Sequence, residues 1–280
     1  MPLRQGRVLV AEPGVRRAFQ HEEVVPMSPK YCVAAVEKAI HILNFLAAHP
    51  DSTFTDIFTA LGLSKSTTYQ TLFTLEAYQY VVRTKEKKYR LDVGILPLVH
   101  GIAQQNNLIE SSREALTQLA KETGLTVHLC SLADSYRAIC LYKIDGANFT
   151  IRNTAVGRDL TLHTSASAKV LLAWMDKEQL AHYLEHVTYI KYTDTTITSP
   201  DAFRQELLES KRRGYAIDNC EGAQGAMGIG VPILDRKGNA VAAISIGAII
   251  TEIPPDQYGL TAEKLRHIAD TISARLSAGM

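Results

Sequence analysis

The sequence of 280 residues has little net charge and lacks a long apolar run. Its 30 Lys and Arg residues nearly balance 29 Asp and Glu residues, which leaves a formal charge of +1 at pH 7. Proteins that bind nucleic acid along most of their length are usually more basic, so any DNA contact must come from a local patch. The longest apolar stretch, residues 240–250, is shorter than the roughly 20 residues of a transmembrane helix. It predicts a buried strand, and we expect a cytoplasmic protein with no membrane partner.

Metal, redox and nucleotide signatures are lacking as well. The sequence has no Walker loop, no dinucleotide fingerprint and no G-x-S-x-G elbow. The cysteines are far apart and show no C-x-x-C spacing, which favours reduced core thiols over disulfides or a zinc site. We therefore expect no cofactor, no metal and no catalytic residue. The four cysteines concerned are Cys32, Cys130, Cys140 and Cys220.

Residues 1–32 are predicted to be a flexible N-terminal arm. The segment has four arginines but only a short apolar run at 8–11, with no cleavage pattern after it, so it does not resemble a secretory signal. Helical periodicity begins only after Pro29. Met27 is therefore an alternative to Met1 as the start of translation.

Residues 33–92 begin with two predicted helices. Apolar residues at helical spacing predict the first over residues 33–48, and Pro50 ends it. The second, shorter helix is expected to have Thr55 as its N-cap and to stop at Gly62. The apolar positions that define the first helix are Val36, Ile40, Leu43 and Leu46 (or Ala47).

A third helix and a β-hairpin complete this segment. Ser64 is suited to cap a helix that continues to about Tyr78, with Thr68, Leu72 and Leu75 on its buried face. Strands at 80–84 and 89–91 enclose a charged turn. This order of elements predicts a winged helix-turn-helix.

The exposed side of the third helix is the predicted DNA-reading surface. It carries hydroxyls and an amide but no carboxylate, which suits contact with base edges and phosphates, and Gln70 can bind adenine in a bidentate manner. Residues 83–90 have five basic residues against one acidic residue, a net charge of +4 that can neutralise phosphates. The predicted DNA-binding residues are Ser64, Lys65, Ser66, Thr67, Gln70, Thr71, Thr74, Lys87 and Lys88.

Residues 93–107 predict one linker helix, and residues 108–280 alternate between helices and strands. In the linker, Ile95, Leu98 and Ile102 lie on one face. Beyond it, predicted strands at 126–133, 138–144, 228–234 and 240–249 are mixed with helices, which indicates an α+β domain. We expect this second domain to sense a small molecule.

The sequence resembles the IclR family of transcriptional regulators. The resemblance is carried by GLSKSTTYQTLFTLEAYQYV at 62–81 and YRLDVGILPL at 89–98, and it continues through 157–174 and 212–246. It implies a winged helix-turn-helix followed by a GAF/profilin-like effector domain, and a repressor more often than an activator. Gln70 stands where the family often has Arg. Thr161 and Ala168 replace a Pro and a Gly in the sensor motif.

The resemblance also implies an effector site for a small organic acid. Small residues and hydroxyls at 163–169 open a helix, and the N–H groups at a helix N-terminus attract anions. The stretch YIKYTDTTIT at 189–198 is most similar to the branch associated with sugar-acid catabolism, so a hydroxylated sugar acid or its keto-deoxy derivative is the expected effector. The matching effector residues are Ala166, Ser167, Asp218, Gly228, Ser245 and Gly247.

The sequence allows two other interpretations. A hydrolase triad could be drawn from His128, His163, Ser165, Ser167 and Asp218, but these residues have no fixed motif spacing. His182 and His186 stand at i and i+4, yet they lack the Glu of an H-E-x-x-H metal site. The main alternative is a small-molecule-binding or enzymatic sensor whose first domain binds a protein.

The expected partner of the first domain is a double-stranded DNA operator. One recognition helix and one wing cover only a few base pairs, so useful specificity requires paired half-sites. We therefore expect a homodimer or homotetramer on a pseudo-palindromic operator.

Overall fold

The computed structural model describes residues 32–105, 107–133, 137–147 and 154–278. The arm predicted at 1–32 and the alternative start at Met27 lie outside these residues, apart from Cys32. The chain divides into two compact units directly after Gln105. Within the described residues, no helix combines the length and apolar character needed to cross a membrane.

Residues 32–91 of the first unit contain three helices and a small antiparallel sheet. The sheet has the strand order β1-β3-β2, in which β2 and β3 form the predicted hairpin. Buried side chains from every helix and from the hairpin form one core, including Ile42, Ile57 and Leu72. The elements are α1 (Ala34–Ala48), β1 (Ser52–Thr53), α2 (Phe54–Ala60), α3 (Lys65–Ala77), β2 (Val81–Arg83) and β3 (Lys88–Leu91).

The prediction of which side of α1 faces the core is partly wrong. The structure buries Ile42 and Leu46, one helical turn apart, whereas Val36 and Ile40 are 55% and 50% exposed. The sequence shows two apolar stripes on α1, and only packing against α3 and β3 decides which of them faces the core. The other stripe is left on the surface.

The N-cap of α2 also differs from the prediction. Thr53, not Thr55, is the capping residue, because its backbone is extended and Asp56 completes a reciprocal capping box with it. The Asp56 carboxylate accepts hydrogen bonds from the N–H and the hydroxyl of Thr53 at 2.8 and 2.7 Å. Thr55 therefore lies within the first turn of the helix.

The linker predicted as one helix at 93–107 is divided into a 3-10 turn and a helix, and the next helix begins at the last residue of this segment. Asp92 caps a 3-10 turn at Val93–Ile95, α4 follows at Leu96–Gln105, and α5 spans Asn107–Thr123. Pro97 lies in the first turn of α4, where its missing N–H costs no helical hydrogen bond. Leu98 and Ile102, predicted to share one face, are 53% and 61% exposed.

The second unit is built on a five-stranded antiparallel sheet with the order β5-β4-β8-β7-β6. The prediction missed β6, a short strand after Gly214, whose φ of +82° ends α8. The strands are β4 (Thr126–Leu132), β5 (Ala138–Ile144), β6 (Ala216–Asn219), β7 (Ala226–Leu234) and β8 (Ala240–Ile249). The helices are α5, α6 (Ala166–Ala173), α7 (Lys177–His186), α8 (Pro200–Arg213) and α9 (Tyr258–Ala278).

Helices cover the sheet on both faces. Alternate strand residues such as Leu129, Ile229 and Ile244 join a core with α5 and α9. The residues between them, such as Ala216 and Ala243, face a second core formed with α6, α7 and α8. We call this second side the α6 face. It holds the candidate effector site.

All four cysteines are free thiols, as expected. Cys130 and Cys140 are buried and are directly opposite each other on β4 and β5. Cys220 is partly exposed and Cys32 is exposed. The expectation of a core position is therefore wrong for Cys32, which precedes α1 and packs into no core.

Candidate DNA-binding surface and effector site

The N-terminal half of α3 presents a polar surface. The Oγ of Ser64 caps the helix by accepting the N–H of Thr67 at 3.2 Å. Thr68, Leu72 and Leu75 are buried, which confirms the predicted core face and turns the opposite side outward. Of the residues predicted to contact DNA on this helix, Thr67 and Thr71 are half-buried. The exposed ones are Ser64, Lys65, Ser66, Gln70 and Thr74.

Sequence reasoning missed two aromatic residues on this surface. Tyr69 and Phe73 are 61% and 64% exposed, and their rings stack with centroids 6.5 Å apart. Phe73 is three residues from Gln70 and so neighbours it on the surface of α3, and Tyr69 is four residues from Phe73. Because aromatic residues are common in cores, the pattern alone gave no reason to place them outside.

The hairpin turn carries the basic residues of the predicted wing. Thr84 fixes the turn: its N–H donates to the carbonyl of Lys88 at 2.7 Å, and its own carbonyl accepts the N–H of Lys87 at 3.0 Å. Lys87 has a φ of +62°, which lets the chain reverse. Both lysines are exposed. The wing therefore presents its positive charge to solvent.

The predicted effector residues meet on the α6 face of the sheet. Asp218, Gly228, Gly247 and Thr126 are successive cross-strand partners on β6, β7, β8 and β4. Since opposed residues in an antiparallel sheet share a face, these four form a row, which we call the first row. The second row, two residues further along the strands, contains Ala216, Gly230, Ser245 and His128.

Glycines let the first turn of α6 rest directly on the sheet. A Cβ atom on Gly230 would lie 2.9 Å from the carbonyl oxygen of Ala166. A Cβ atom on Gly228 would lie 3.5 Å from the Cβ of Ala166 and 3.7 Å from that of Asp218. The glycines thus bring Ala166 and Asp218 together, although 52 positions separate them in the sequence.

Hydroxyl groups join α6 to the centre of the sheet. Ser167 donates a hydrogen bond from its Oγ to the Oγ of Ser245 at 2.6 Å. Ser165, the N-cap residue, makes no capping hydrogen bond with its side chain. The N–H groups in the first turn of a helix have no intrahelical acceptor, so this turn is suited to receive an anionic oxygen.

A buried ion pair lies behind this turn. The Nζ of Lys169 is 2.5 Å from Oε1 of Glu221 and donates to the carbonyl of Ile217 at 2.9 Å. Burial raises the pKa of Glu221, and Lys169 opposes that effect. Burial also raises the pKa of Asp218 to about 7, although its Oδ1 accepts the N–H of Glu221 at 2.8 Å. Asp218 can therefore act as a donor or as an acceptor near neutral pH.

Two residues that were not predicted as effector contacts also belong to this site. The hydroxyl of Thr164 lies beside Gly222, where an added Cβ would be 3.3 Å from its Oγ1 and 3.6 Å from Oδ2 of Asp218. His128 occupies the second row beside Ser245. The sequence drew attention to His128 only as part of a triad, because its place in a row depends on strand pairing.

The residues weighed for a hydrolase triad do not form one. His163 bonds through its Nε2 to the carbonyl of Ile190 at 2.9 Å and stacks on Tyr192, rather than activating a serine. Ser167 bonds to Ser245. In the described ranges, no three His, Cys, Asp or Glu side chains form a group that could hold a metal ion.

A separate surface depression of about 410 Å³ lies on the other side of the sheet, against α5 and α9. Its lining is mostly charged, and Arg113 and Arg275 there pair with Glu110 and Glu114. These side chains are largely exposed, so the depression offers no desolvated binding groups. The α6 face is the better candidate for recognition of a small molecule.

Comparisons with known proteins agree with this arrangement. The IclR helix-turn-helix domain model matches residues 35–85, and the bacterial transcriptional regulator IclR C-terminal model matches residues 100–274. The HTH-type transcriptional regulators XynR and KdgR of Escherichia coli K12 are 30% and 31% identical to this chain. Each alignment covers 87% of this chain, with 97% of XynR and 93% of KdgR.

A solved structure shows the same fold. The IclR protein of Thermotoga maritima superposes with a TM-score of 0.69 at 30% identity, covering 87% of this chain and 98% of that one. The family models match both the DNA-binding unit and most of the second unit. The chain belongs to the IclR family of bacterial transcriptional regulators.

Proposed function

We propose that this regulator represses genes for the catabolism of a sugar acid, and that it binds its operator as a dimer. The exposed polar side of α3 reads bases, while the basic hairpin turn contacts phosphates. The effector, a hydroxylated acid, binds at the first turn of α6 and changes the affinity for the operator.

The arrangement of the first row is the observation that carries the effector proposal. Asp218 stands at one end of a floor that has no side chains at Gly228 and Gly247, directly below the open N–H groups at Ala166. A carboxylate docks on these N–H groups, and the adjacent hydroxyls bond to Asp218 and Ser245. Gly247 adds no side chain to this floor, whereas Ala166 lies against the floor at Gly228.

Unpartnered apolar side chains support dimerisation of the first unit. Val36 and Ile40 on α1 are exposed, as are Leu96, Leu98 and Ile102 on α4. Several large apolar residues exposed along one helix, as on α4, are typical of interfaces. A second copy of the chain is their occupant, because a pseudo-palindromic operator presents two equivalent half-sites.

Operator binding and effector response can be tested separately. DNA from the region next to the gene is titrated with full-length protein by fluorescence anisotropy, with random DNA as control, and a footprint maps the site. We expect a two-fold symmetric footprint and preferential binding. A protein that bound no DNA specifically would contradict the proposal, and a footprint without two-fold symmetry would contradict the dimer.

The effector is then identified by thermal shift over a panel of acids, since a ligand that binds only the folded state raises the unfolding temperature. Sugar acids such as D-gluconate are compared with glyoxylate and pyruvate. Asp218→Ala should abolish the response while leaving operator binding intact. A shift with glyoxylate or pyruvate alone, or a normal response of the variant, would refute the effector class.

A further inference from the structure

His128 has a polar atom that is buried without a partner beside the effector site. Its side chain is only 6% exposed, and its Nε2 has no hydrogen-bond partner among the described residues. It is the cross-strand partner of Ser245, whose hydroxyl bonds to Ser167 in the first turn of α6. Opposed side chains on neighbouring antiparallel strands are about 5 Å apart at their Cβ atoms, so the ring is next to the site.

A buried nitrogen without a partner is unfavourable, and such groups are rare in native proteins. Any ligand that supplies an oxygen to this nitrogen recovers the cost. Burial, with a smaller contribution from the charge of Lys143, lowers the pKa of His128 to about 4. The ring is therefore neutral at physiological pH and can donate one N–H to an uncharged oxygen.

The position of His128 sets the length of ligand that can reach it. Ala166, the first residue of α6, lies over Gly228 and Gly230 on β7, and Ser167 beside it reaches Ser245 on β8. From β7 to β4 there are two interstrand gaps, about 10 Å across the sheet. Between β7 and β4 lies β8, where Gly247 in the first row contributes no side chain. A short acid whose carboxylate is held at Ala166 extends less far across the sheet towards His128 than an extended hydroxylated chain does.

We propose that His128 is a specificity-determining contact, whose Nε2 donates a hydrogen bond to a hydroxyl or carbonyl oxygen at the far end of a long-chain hydroxylated acid. This inference rests on the proposed function, in which the carboxylate of the same ligand docks at α6. The protein thereby distinguishes a sugar acid from a short acid that has the same 2-hydroxy-carboxylate head.

The test uses full-length protein, calorimetric titration and two probes, D-gluconate and D-glycerate. His128→Leu removes the donor in a similar volume, and His128→Gln restores an amide donor. Tyr183→Phe is the matched control, because the Tyr183 hydroxyl is another buried atom without a partner among the described residues but belongs to the core around α7.

We expect His128→Leu to weaken D-gluconate binding about tenfold and to leave D-glycerate binding within about twofold. His128→Gln and Tyr183→Phe should keep the affinity for D-gluconate. In the absence of ligand, His128→Leu should be at least as stable as the wild type, since it removes a buried polar atom that lacks a partner. Loss of stability with equal weakening of both acids would indicate a structural role only.

Equal affinity of the wild type and His128→Leu for D-gluconate would overturn the assignment while leaving the proposed effector class in place. If the wild-type protein binds neither acid, the effector class fails, and the role of His128 fails with it. The wild-type titration alone therefore separates failure of the effector class from failure of the His128 contact.

Discussion

The hydroxyls of Ser167 and Ser245 lie 2.6 Å apart and join the first turn of α6 to the central strand of the sheet. Both side chains are buried, at 2% and 6% exposure. Any displacement of α6 from the sheet would break this bond and leave two buried hydroxyls without partners, which is costly. The first turn of α6, which we propose to bind the effector, is therefore held in place against β8 by this hydrogen bond.

The close approach of α6 depends on Gly230. Gly230→Ala places a Cβ atom 2.9 Å from the carbonyl oxygen of Ala166, so the helix must move. We expect a loss of about 1–3 kcal/mol in the free energy of unfolding, measured by chemical denaturation, together with a weaker effector response. Gly259→Ala in α9 is the control, because an added Cβ there meets nothing within 4 Å. Equal stability of the two variants would refute this packing argument.

Asp218 should make stability depend on pH. Burial raises its pKa from 3.8 to about 7. Between these values the folded state keeps a proton that the unfolded chain has released, so the contribution of Asp218 to stability falls as pH rises from about 4 to about 7. In Asp218→Asn this dependence is absent.

The unfolding temperature of Asp218→Asn minus that of the wild type should therefore increase from about pH 5 to about pH 8. Asp235→Asn is the control, because hydrogen bonds in its turn lower the pKa of that exposed carboxyl. Its difference from the wild type should stay constant over this range. A constant difference for Asp218→Asn as well would contradict the raised pKa.

The wing should contribute affinity without sequence preference. Lys87→Ala combined with Lys88→Ala removes two exposed charges at the hairpin turn. We expect weaker binding to operator and random DNA alike, with the slope of log affinity against log salt reduced by about two units. Anisotropy titrations at several salt concentrations measure this slope. An unchanged slope would show that the wing does not touch phosphate.

Gln70 should contribute preference for particular bases. Gln70→Ala is expected to cost about 1–3 kcal/mol on the preferred operator and to relax the base preference at one position of each half-site. Selection from a randomised operator library measures the change. If Gln70→Ala lost the same affinity for the operator as for random DNA, this face of α3 would not read bases.

The stacked aromatic pair should read thymine methyl groups beside the adenine that Gln70 contacts. Phe73 is 64% exposed on the same side of α3 as Gln70, and apolar side chains commonly contact the C5-methyl of thymine. Replacing thymine by uracil in the half-site removes only that methyl group, so the wild type should lose affinity for uracil-containing operator. Phe73→Ala should show no such difference. If the wild type and Phe73→Ala lose the same affinity when thymine is replaced by uracil, another residue contacts the methyl group.

Local sequence was sufficient for several elements of this fold. Ser64 caps α3 because its hydroxyl can satisfy the free N–H of Thr67, a bond that forms within three residues. Leu72 and Leu75 follow the helical period and are buried as predicted. The two strands of the wing enclose polar turn residues, and the register of a hairpin is set by its own turn.

Tertiary packing decided the features for which the sequence offered equal choices. Two apolar stripes compete on α1, and contact with α3 and β3 selects the one with Ile42. The prediction of Thr55 as the N-cap of α2 is wrong for a local reason, because the reciprocal bonds with Asp56 select Thr53. The four residues of the first row come from four strands, and only strand pairing places Asp218 in line with Thr126.

The sequence by itself thus determined the order of elements, the capped recognition helix, the basic wing and the family resemblance, because each depends on neighbours within a few residues or on motif spacing. Only the tertiary structure decided which strand residues share the α6 face, why Gly230 must lack a side chain, and that His128 is buried beside Ser245. These depend on the pairing of strands far apart in sequence, where a one-residue change of register would move each side chain to the opposite face.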